Sequence, residues 1–546
     1  MDEPDAPKAP KIEVQNIDHL GIVAGIIDEI GLVEEIDHLL GTHPQEHVSP
    51  GQALKAMILN GLGFVSAPLY LFEEFFHGKA TEHLIAPGIK PEHLNDDRLG
   101  RVLDKLFEAN PSQIFVDVAL RAARQFGVRT ESVHLDATSL HLHGHYAHDN
   151  QEEAEPKAIR ITHGYSRDHR PELKQFVVDL MCTGDGGIPL FLRVADGNES
   201  DQAIFAKLAS DFKAQLDFDA LFVADSALYS ADNLPTLNHL RWLCRVPQTI
   251  KEARTLLEEI DEESFITESA PEGYRLAETK SEYGGVVQRW VVVESPERQR
   301  AQNERLEKKL EELDERLERR LRQLRRERFN CQADARKALQ SFAEKLGDYH
   351  LLTEGDLIPV RSYQKPGRPS KGEEPEVVGY RLEAKVARDE QAIAVARRRS
   401  GRFILATNVL DGKQLGKEAL VHEYKAQHTV ERGFRFLKDP MFFTSSVFVK
   451  SPKRVAAIAL VMGLSLLVYA LGERALRRAL KEAGAKVRHQ TGKSTERPTL
   501  RWVFQLFQAV HLLNVDGTKR IANLTEERKR ILGFLLPSCQ RYYLLG

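Results

Sequence analysis

Three acidic residues, set far apart in the chain, have the types and settings that could do metal-assisted phosphodiester chemistry. Asp136 closes the short extended run Ser132-Val-His-Leu-Asp136, and Asp225 closes the apolar, strand-like run Leu221-Phe-Val-Ala-Asp225. A carboxylate at the end of a buried strand is costly unless a partner or a metal ion neutralises it. Two such strands lying side by side would aim both carboxylates into one crevice. The third residue, Glu431, falls in the segment His422–Lys438, HEYKAQHTVERGFRFLK. At helical period, Val430, Phe434 and Leu437 line one face of this segment, and Tyr424, Gln427, Glu431, Arg435 and Lys438 share another. Taken alone, this is an amphipathic helix with a solvated face. Beside the two aspartates, its glutamate completes a three-carboxylate oxygen site. Hard divalent cations suit that donor set; Mg²⁺ takes carboxylate oxygens together with water and substrate phosphate. Two ions about 3.5–4 Å apart can activate an attacking oxygen and stabilise the leaving one. The expected cofactor is two Mg²⁺ (or Mn²⁺) ions held by Asp136, Asp225 and Glu431.

The order and spacing of these segments resemble a DDE transposase of the insertion-sequence-four superfamily, in the subgroup with a long insertion and a helical N-terminal domain. That family marks its last catalytic segment with Tyr, two residues, Arg, three residues, Glu, six residues and Lys. Tyr424, Gln427, Glu431 and Lys438 stand at those offsets, with glutamine in the place of the arginine. The resemblance implies Asp136, Asp225 and Glu431 as the catalytic triad, with Tyr424 and Lys438 holding the DNA end and its phosphates. Gln427 falls in the same DNA-contacting set, and Arg432 or Arg435 is a candidate to replace the missing guanidinium. In the basic loop from His163 to Gln175, Arg167, Arg170 and Lys174 are candidate phosphate contacts, with a plain surface loop as the alternative. Gly367-Arg368-Pro369, in a Pro/Gly/Ser-rich stretch, matches the core of a minor-groove hook in which Arg368 enters the groove; a plain linker is the alternative.

The implied activity is cut-and-paste transposition. Water hydrolyses the phosphodiester at the transposon end, and the freed 3′ hydroxyl is joined to target DNA, with no covalent enzyme intermediate. The implied partners are double-stranded DNA (terminal inverted repeats and target) and a second copy of the chain in a homodimeric paired-end complex. A metal-dependent nuclease on the same fold would use the same carboxylates, so they do not separate the two readings. A non-catalytic DNA-binding derivative would be favoured by loss of a carboxylate, and all three are present.

The elements that must carry these residues follow from periodicity and turn signals. The expected fold class is α/β: a ribonuclease H-like catalytic core with an all-α N-terminal domain and a mixed β/coiled-coil insertion. Residues 12–130 read as helical throughout, with Ser49-Pro50, Asn95 and Pro111 at helix starts. This stretch is expected to be an N-terminal domain, 1–130, for which the resemblance implies end recognition or dimerisation. Residues 131–249 form the first part of the core. Strands 176–182 and 189–194 make a hairpin through Gly184-Asp185-Gly186-Gly187, and a helix from Asp201 crosses over to the Asp225 strand. An insertion, 250–400, holds two alternating strands and a leucine series from Leu306 to Leu324, read as a helical hairpin or a short coiled coil. Residues 401–546 return to the core with the strand 401–408, the Glu431 helix and the C-terminal helices.

The formal net charge of −4 does not advertise a nucleic-acid binder, but the charge is uneven. Residues 1–130 carry 20 acidic against 11 basic residues, whereas residues 412–546 carry 24 basic against 10 acidic. The second balance suits a phosphate backbone. Four cysteines without paired or zinc-type spacing fit a reduced, cytoplasmic setting, and the N-terminal residues have no signal character. His141, His143, His145 and His148 alternate after Asp136, yet no matching Cys/His cluster lies elsewhere. The apolar run 455–471 is expected to be a buried core helix rather than a membrane span.

Overall fold

The computed structural model describes residues 11–143, 158–166, 170–214, 219–265, 273–363, 374–439 and 451–545. In chain order, strand β1 (Ile12–Asn16) precedes helices α1 (Leu20–Ile30), α2 (Leu32–Leu40), α3 (Pro50–Gly61), α4 (Phe72–Phe76), α5 (Thr81–Leu84), α6 (Asp96–Glu108) and α7 (Pro111–Gln125). Strands β2 (Ser132–Leu142), β3 (Lys174–Thr183) and β4 (Pro189–Ala195) follow, then α8 (Asp201–Lys213), β5 (Leu221–Ala224), α9 (Asn233–Thr236) and β6 (Arg241–Arg245). Next come α10 (Lys251–Glu259), β7 (Arg275–Tyr283), β8 (Val286–Glu294), α11 (Pro296–Arg326), α12 (Gln332–Ala343), β9 (His350–Ser362), β10 (Glu376–Arg388), α13 (Glu390–Arg399) and β11 (Arg402–Thr407). The chain then runs through α14 (Lys417–Lys425), α15 (His428–Leu437), α16 (Pro452–Glu482), β12 (Val487–Arg488), β13 (Ser494–Thr495) and α17 (Leu500–Leu506). It ends with β14 (His511–Val515), β15 (Thr518–Ala522), α18 (Glu526–Leu532) and α19 (Pro537–Gln540).

Local chemistry explains many of these boundaries. The Ser49 hydroxyl accepts from the Gln52 amide while the Gln52 side chain accepts from the Ser49 amide, a reciprocal cap that starts α3. Asn95 and Asn110 cap α6 and α7 in the same manner, with Pro111 in the first turn of α7. The apolar residues from Leu20 to Leu32 divide between two helices, because Gly31 adopts a left-handed φ of 68° and turns the chain between α1 and α2.

Two compact units result. One comprises Met1–Cys244, Tyr283–Val286 and His422–Gly546; the other comprises Arg245–Glu282 and Val287–Val421. In the first unit the strands lie in the order β4-β3-β2-β5-β6. β4, β3 and β2 are antiparallel, whereas β5 runs parallel to β2 and β6 parallel to β5. This is the ribonuclease H-like order, with α8 in the crossover from the hairpin to β5. Helix α16 fills the core beside the sheet. It is long and apolar enough to cross a membrane, but 94% of its apolar window is buried inside the protein. Its glycines permit close packing: a Cβ on Gly463 would lie 2.4 Å from Leu192, and one on Gly472 2.4 Å from Ile26.

The N-terminal helices do not stand apart as the expected 1–130 domain. α1, α3, α6 and α7 all pack on α16, and Arg454 pairs with Asp104 at 2.8 Å. Residues 12–130 are also not wholly helical. β1 pairs antiparallel with β14, aligning Ile12 with Val515, and β14 pairs with β15. A strand whose partner lies some 500 residues away leaves no local signal. The second unit runs past residue 400 to Val421 and includes β11, the strand expected to return to the core. Leu317, Leu321 and Leu324 bury with Phe329, Ala335 and Phe342 of the α12 region and with Leu382 and Ala384 of the β9–β10 ribbon. In the same unit β8 and β11 pair antiparallel, and the buried Arg402 pairs with Glu294 at 2.8 Å.

Candidate active site

Strand pairing places the two aspartates. The parallel register aligns Ser132 with Leu221 and continues to Leu135 with Ala224, which brings Asp136 level with Asp225. Neighbouring strands lie about 4.8 Å apart, so the two carboxylates project from adjacent positions on the same face. Asp136 is not at the end of its strand, as its sequence suggests. β2 continues to Leu142, paired with β3 so that Asp136 opposes Leu180; it is β5 that ends here. Both aspartates are half-buried. Asp136 accepts from the Ala137 amide and Asp225 from the Ala227 amide, each at 2.8 Å. Burial, and next the negative charge of Asp136, push the Cys182 thiol up; burial and Asp225 do the same to Cys244. Both cysteines are therefore inert protonated filling around the carboxylate pair.

Glu431, the expected third carboxylate, lies on a helix packed over the same strands. α15 lies on β2, β3 and α16, burying Val430, Gly433, Phe434 and Leu437. At Gly433 an added Cβ would come within 3.2 Å of Leu180 and of Leu466, so glycine sets how closely the helix approaches the sheet. Because Leu180 opposes Asp136, α15 covers the strand position that carries the first aspartate. Glu431 is exposed on this helix. Among the described residues no three His, Cys, Asp or Glu side chains stand close enough to share one ion. The donor chemistry of the Asp136–Asp225 pair fits a hard divalent cation, and Glu431 is not assembled with them into one group.

His422–Lys438 is not one continuous helix. In an unbroken helix the Lys425 carbonyl would accept from the Thr429 amide. It instead accepts from the His428 ring, and the Thr429 amide bonds to Ala426. The chain therefore breaks into α14 and α15 at Ala426–Gln427. Tyr424 lies on α14, Gln427 caps α15, and Glu431, Arg435 and Lys438 follow on α15 and its end. The helical repeat that places all five on one face holds only from Glu431 onward.

The family described as a transposase DDE domain matches residues 130–468, and a domain of unknown function (DUF4277) matches residues 12–120. The chain belongs to the DDE transposase family. It is a DNA transposase. No curated protein matches it. A solved structure described as the piggyBac transposase synaptic complex with hairpin DNA is similar at 9% identity and a TM-score of 0.37, covering 91% of this chain and 83% of that one.

The remaining candidate residues of the transposase are scattered. Lys174 opens β3 opposite Leu142, six residues along β2 from Asp136 and thus about 20 Å away. Arg170 is exposed and paired with Glu172, and its amide donates to Ser166 at 2.7 Å. Arg167 and Arg368 lie outside the described residues, as do His145 and His148. His141 contacts Ser166 at 3.0 Å, within the strand.

Sequence reasoning missed His134, which shares the Asp136 face two residues earlier. It is fully buried, with Nε2 3.8 Å from a Glu423 oxygen on α14. Burial, and next the positive charge of His428, bring its pKa down to about 4. The period-two spacing to Asp136 was the available signal. Arg477 of α16 and Arg501 of α17 were also missed as neighbours of the α15 arginines; nothing local in the sequence joins them.

Proposed function

We propose that this transposase excises and inserts DNA by cut-and-paste phosphodiester hydrolysis and strand transfer, with Asp136, Asp225 and Glu431 as its catalytic carboxylates. The observation that carries the reading is the parallel register that levels Asp136 with Asp225, within a chain of this family. Asp136, Asp225 and Glu431 would hold the divalent cations, Mg²⁺ or Mn²⁺. When bound, such ions supply charge neutralisation at the scissile phosphate and a more acidic attacking water. The chain's own contribution is positioning. The register of β2 and β5 levels two oxygen donors; in this reading Glu431 of α15 would supply the third when DNA and metal are bound, and Tyr424, Gln427, Arg435 and Lys438 would contact the DNA. Arg167, Arg170, Lys174 and Arg368 are proposed as more distant backbone contacts. Positioning and electrostatic stabilisation of this kind account for most of the catalysis in phosphoryl transfer. The partners are double-stranded DNA bearing terminal inverted repeats, the target duplex and a second copy of the chain in a paired-end complex. The setting proposed is the cytoplasm.

The test incubates the full chain with end-bearing duplex and Mg²⁺, and scores end cleavage and joining to a second duplex. Wild type is expected to do both, while Asp136→Ala, Asp225→Ala and Glu431→Ala bind DNA but neither cut nor join. Cleavage by the wild type without any joining would replace transposition by a plain nuclease activity. Full activity in Glu431→Ala would remove α15 from the site.

A further inference from the structure

Beside Glu431, on the same helix, the structure holds a cavity with four arginines, of which the proposed function uses only Arg435. Its volume is about 210 Å³, and apolar groups of Phe436, Leu466 and Ala470 share its lining with Arg432 and Arg435 of α15, Arg477 of α16 and Arg501 of α17. Two carboxylates also reach it, and both are occupied. Asp439 pairs with Arg501 at 2.6 Å, and Glu473 pairs with Arg477 at 2.7 Å. Glu473 also accepts from the Leu500 amide at 3.0 Å and from the Tyr469 hydroxyl at 3.2 Å. Arg432 and Arg435 have no carboxylate partner among the described residues. Four guanidiniums against two carboxylates leave an excess of two positive charges around a space that would admit one tetrahedral anion.

We propose that this cavity binds a backbone phosphate of the DNA on which the enzyme acts, with Arg432 and Arg435 as direct contacts and Arg477 and Arg501 as the braced rear wall.

The size, the charge and the position support the same occupant. Guanidiniums present paired donors suited to phosphate oxygens. Arg477 is held from behind by its Nε donating to the Pro498 carbonyl at 2.9 Å, which fixes it toward the cavity without consuming the whole fork. Burial, and the positive charge of Arg432, pull its pKa below the ordinary arginine value, a repulsion that an anion would relieve. Arg432 follows Glu431 directly and Arg435 lies one turn on, so a phosphate held here belongs to the strand passing the catalytic carboxylates. The arrangement also replaces the guanidinium missing at Gln427: the charge comes from α15 itself, where Arg435 lies one turn from Glu431, and from helices some 45–75 residues downstream. The inference rests on the DNA-processing reading above and names the part of that site which grips the backbone.

The test measures binding of the full chain to end-bearing duplex across a salt titration without divalent metal, for wild type, Arg432→Gln, Arg435→Gln and Arg432→Lys. Each glutamine variant is expected to lower the slope of log affinity against log salt by about one, the signature of one lost phosphate contact, and to weaken binding several-fold. Arg432→Lys should keep the slope while weakening binding, because it retains the charge and loses the fork. Both arginines are exposed, so unchanged thermal unfolding is expected, and a variant that melts early is replaced by the lysine form at the same position. If wild type binds duplex and the glutamine variants keep its slope, the phosphate pocket is overturned while the transposase reading stands. If wild type binds no duplex at all, both fall. A parallel arm adds inorganic phosphate alone and follows the melting temperature. Protection that disappears in Arg432→Gln, with the DNA slope unchanged, would assign the cavity to free phosphate and overturn the DNA contact.

Discussion

The two strand-borne carboxylates and the helix-borne one are positioned by different kinds of force. Asp136 and Asp225 are set by backbone hydrogen bonds of a parallel ladder, in which a slip of one residue would invert every side chain on β5. Glu431 is set by the packing of one ten-residue helix through Val430, Gly433 and Phe434, with its own side chain exposed. The ladder gives a rigid pair, and the packed helix gives a placement that depends on a few van der Waals contacts and on the break at Ala426–Gln427. The pair is therefore the fixed half of the proposed site, and α15 is the half that substitutions can tune.

The largest expected effect breaks the fixed half. Asp136→Asn and Asp225→Asn should each lower end cleavage by at least about 10²–10³-fold, the scale for removing a preorganised electrostatic group. Removing one of two adjacent like charges should leave the melting temperature no lower than wild type; a cooperative loss of fold in either variant would show that the pair is structural. Glu431→Gln should also abolish most cleavage. Because its side chain is exposed, stability should stay within about 0.5 kcal/mol of wild type, read by urea unfolding.

Gly433→Val tests the packed half without touching a carboxylate. The new side chain meets Leu180 and Leu466, and overpacking of this kind costs about 1–3 kcal/mol. A helix displaced by about 1 Å should cost cleavage on the order of 10²-fold, since misplacement of that size is enough. If Gly433→Val cleaves normally, α15 is not held where its packing suggests.

His19 provides a control remote from both halves. It is fully buried, stacked on Phe504 with centroids 4.5 Å apart, and contacts the Leu62 carbonyl at 2.7 Å. Burial brings its pKa down to about 4 from 6.5. The folded state thus binds this proton more weakly than the unfolded chain. Its contribution to stability is full above pH 6.5 and is lost as the pH falls toward 4, by at most about 3 kcal/mol. Unfolding measured from pH 7.5 to 4 should show that slope, and His19→Gln should reduce it, leaving the part that the buried His134 contributes in the same way. The smallest effect is expected from Gln427→Arg. Restoring a guanidinium at the family position should steepen the salt dependence of DNA binding by up to about one unit, and no change would place residue 427 away from the backbone.

Much of the catalytic core was legible in the sequence because its signals are local. The hairpin β3–β4 is announced by its glycine-rich turn, β5 by a short apolar run before Asp225, and α3, α6 and α7 by their caps. The type and setting of Asp136 make it a candidate, but its place in the middle of β2 is not legible, because the polar, histidine-rich continuation to Leu142 does not read as strand without its partner β3. The continuous helix read from Tyr424 to Lys438 failed for a similar reason. One histidine ring capturing the Lys425 carbonyl outweighs a regular spacing of side chains.

What the sequence by itself determined is the inventory: three carboxylates of the right type, the order of the strands that bear them, and an apolar helix that must be buried because its composition leaves no other favourable place for it in water. What only the tertiary structure decided is juxtaposition. The level register of Asp136 and Asp225, the pairing of β1 with β14, the closeness of α15 to β3 through Gly433, and the meeting of Arg432 with Arg477 and Arg501 all join residues distant in the chain. Such contacts form only when the ordering cost of the intervening chain is offset by the burial of the whole unit, so no short window of residues encodes them.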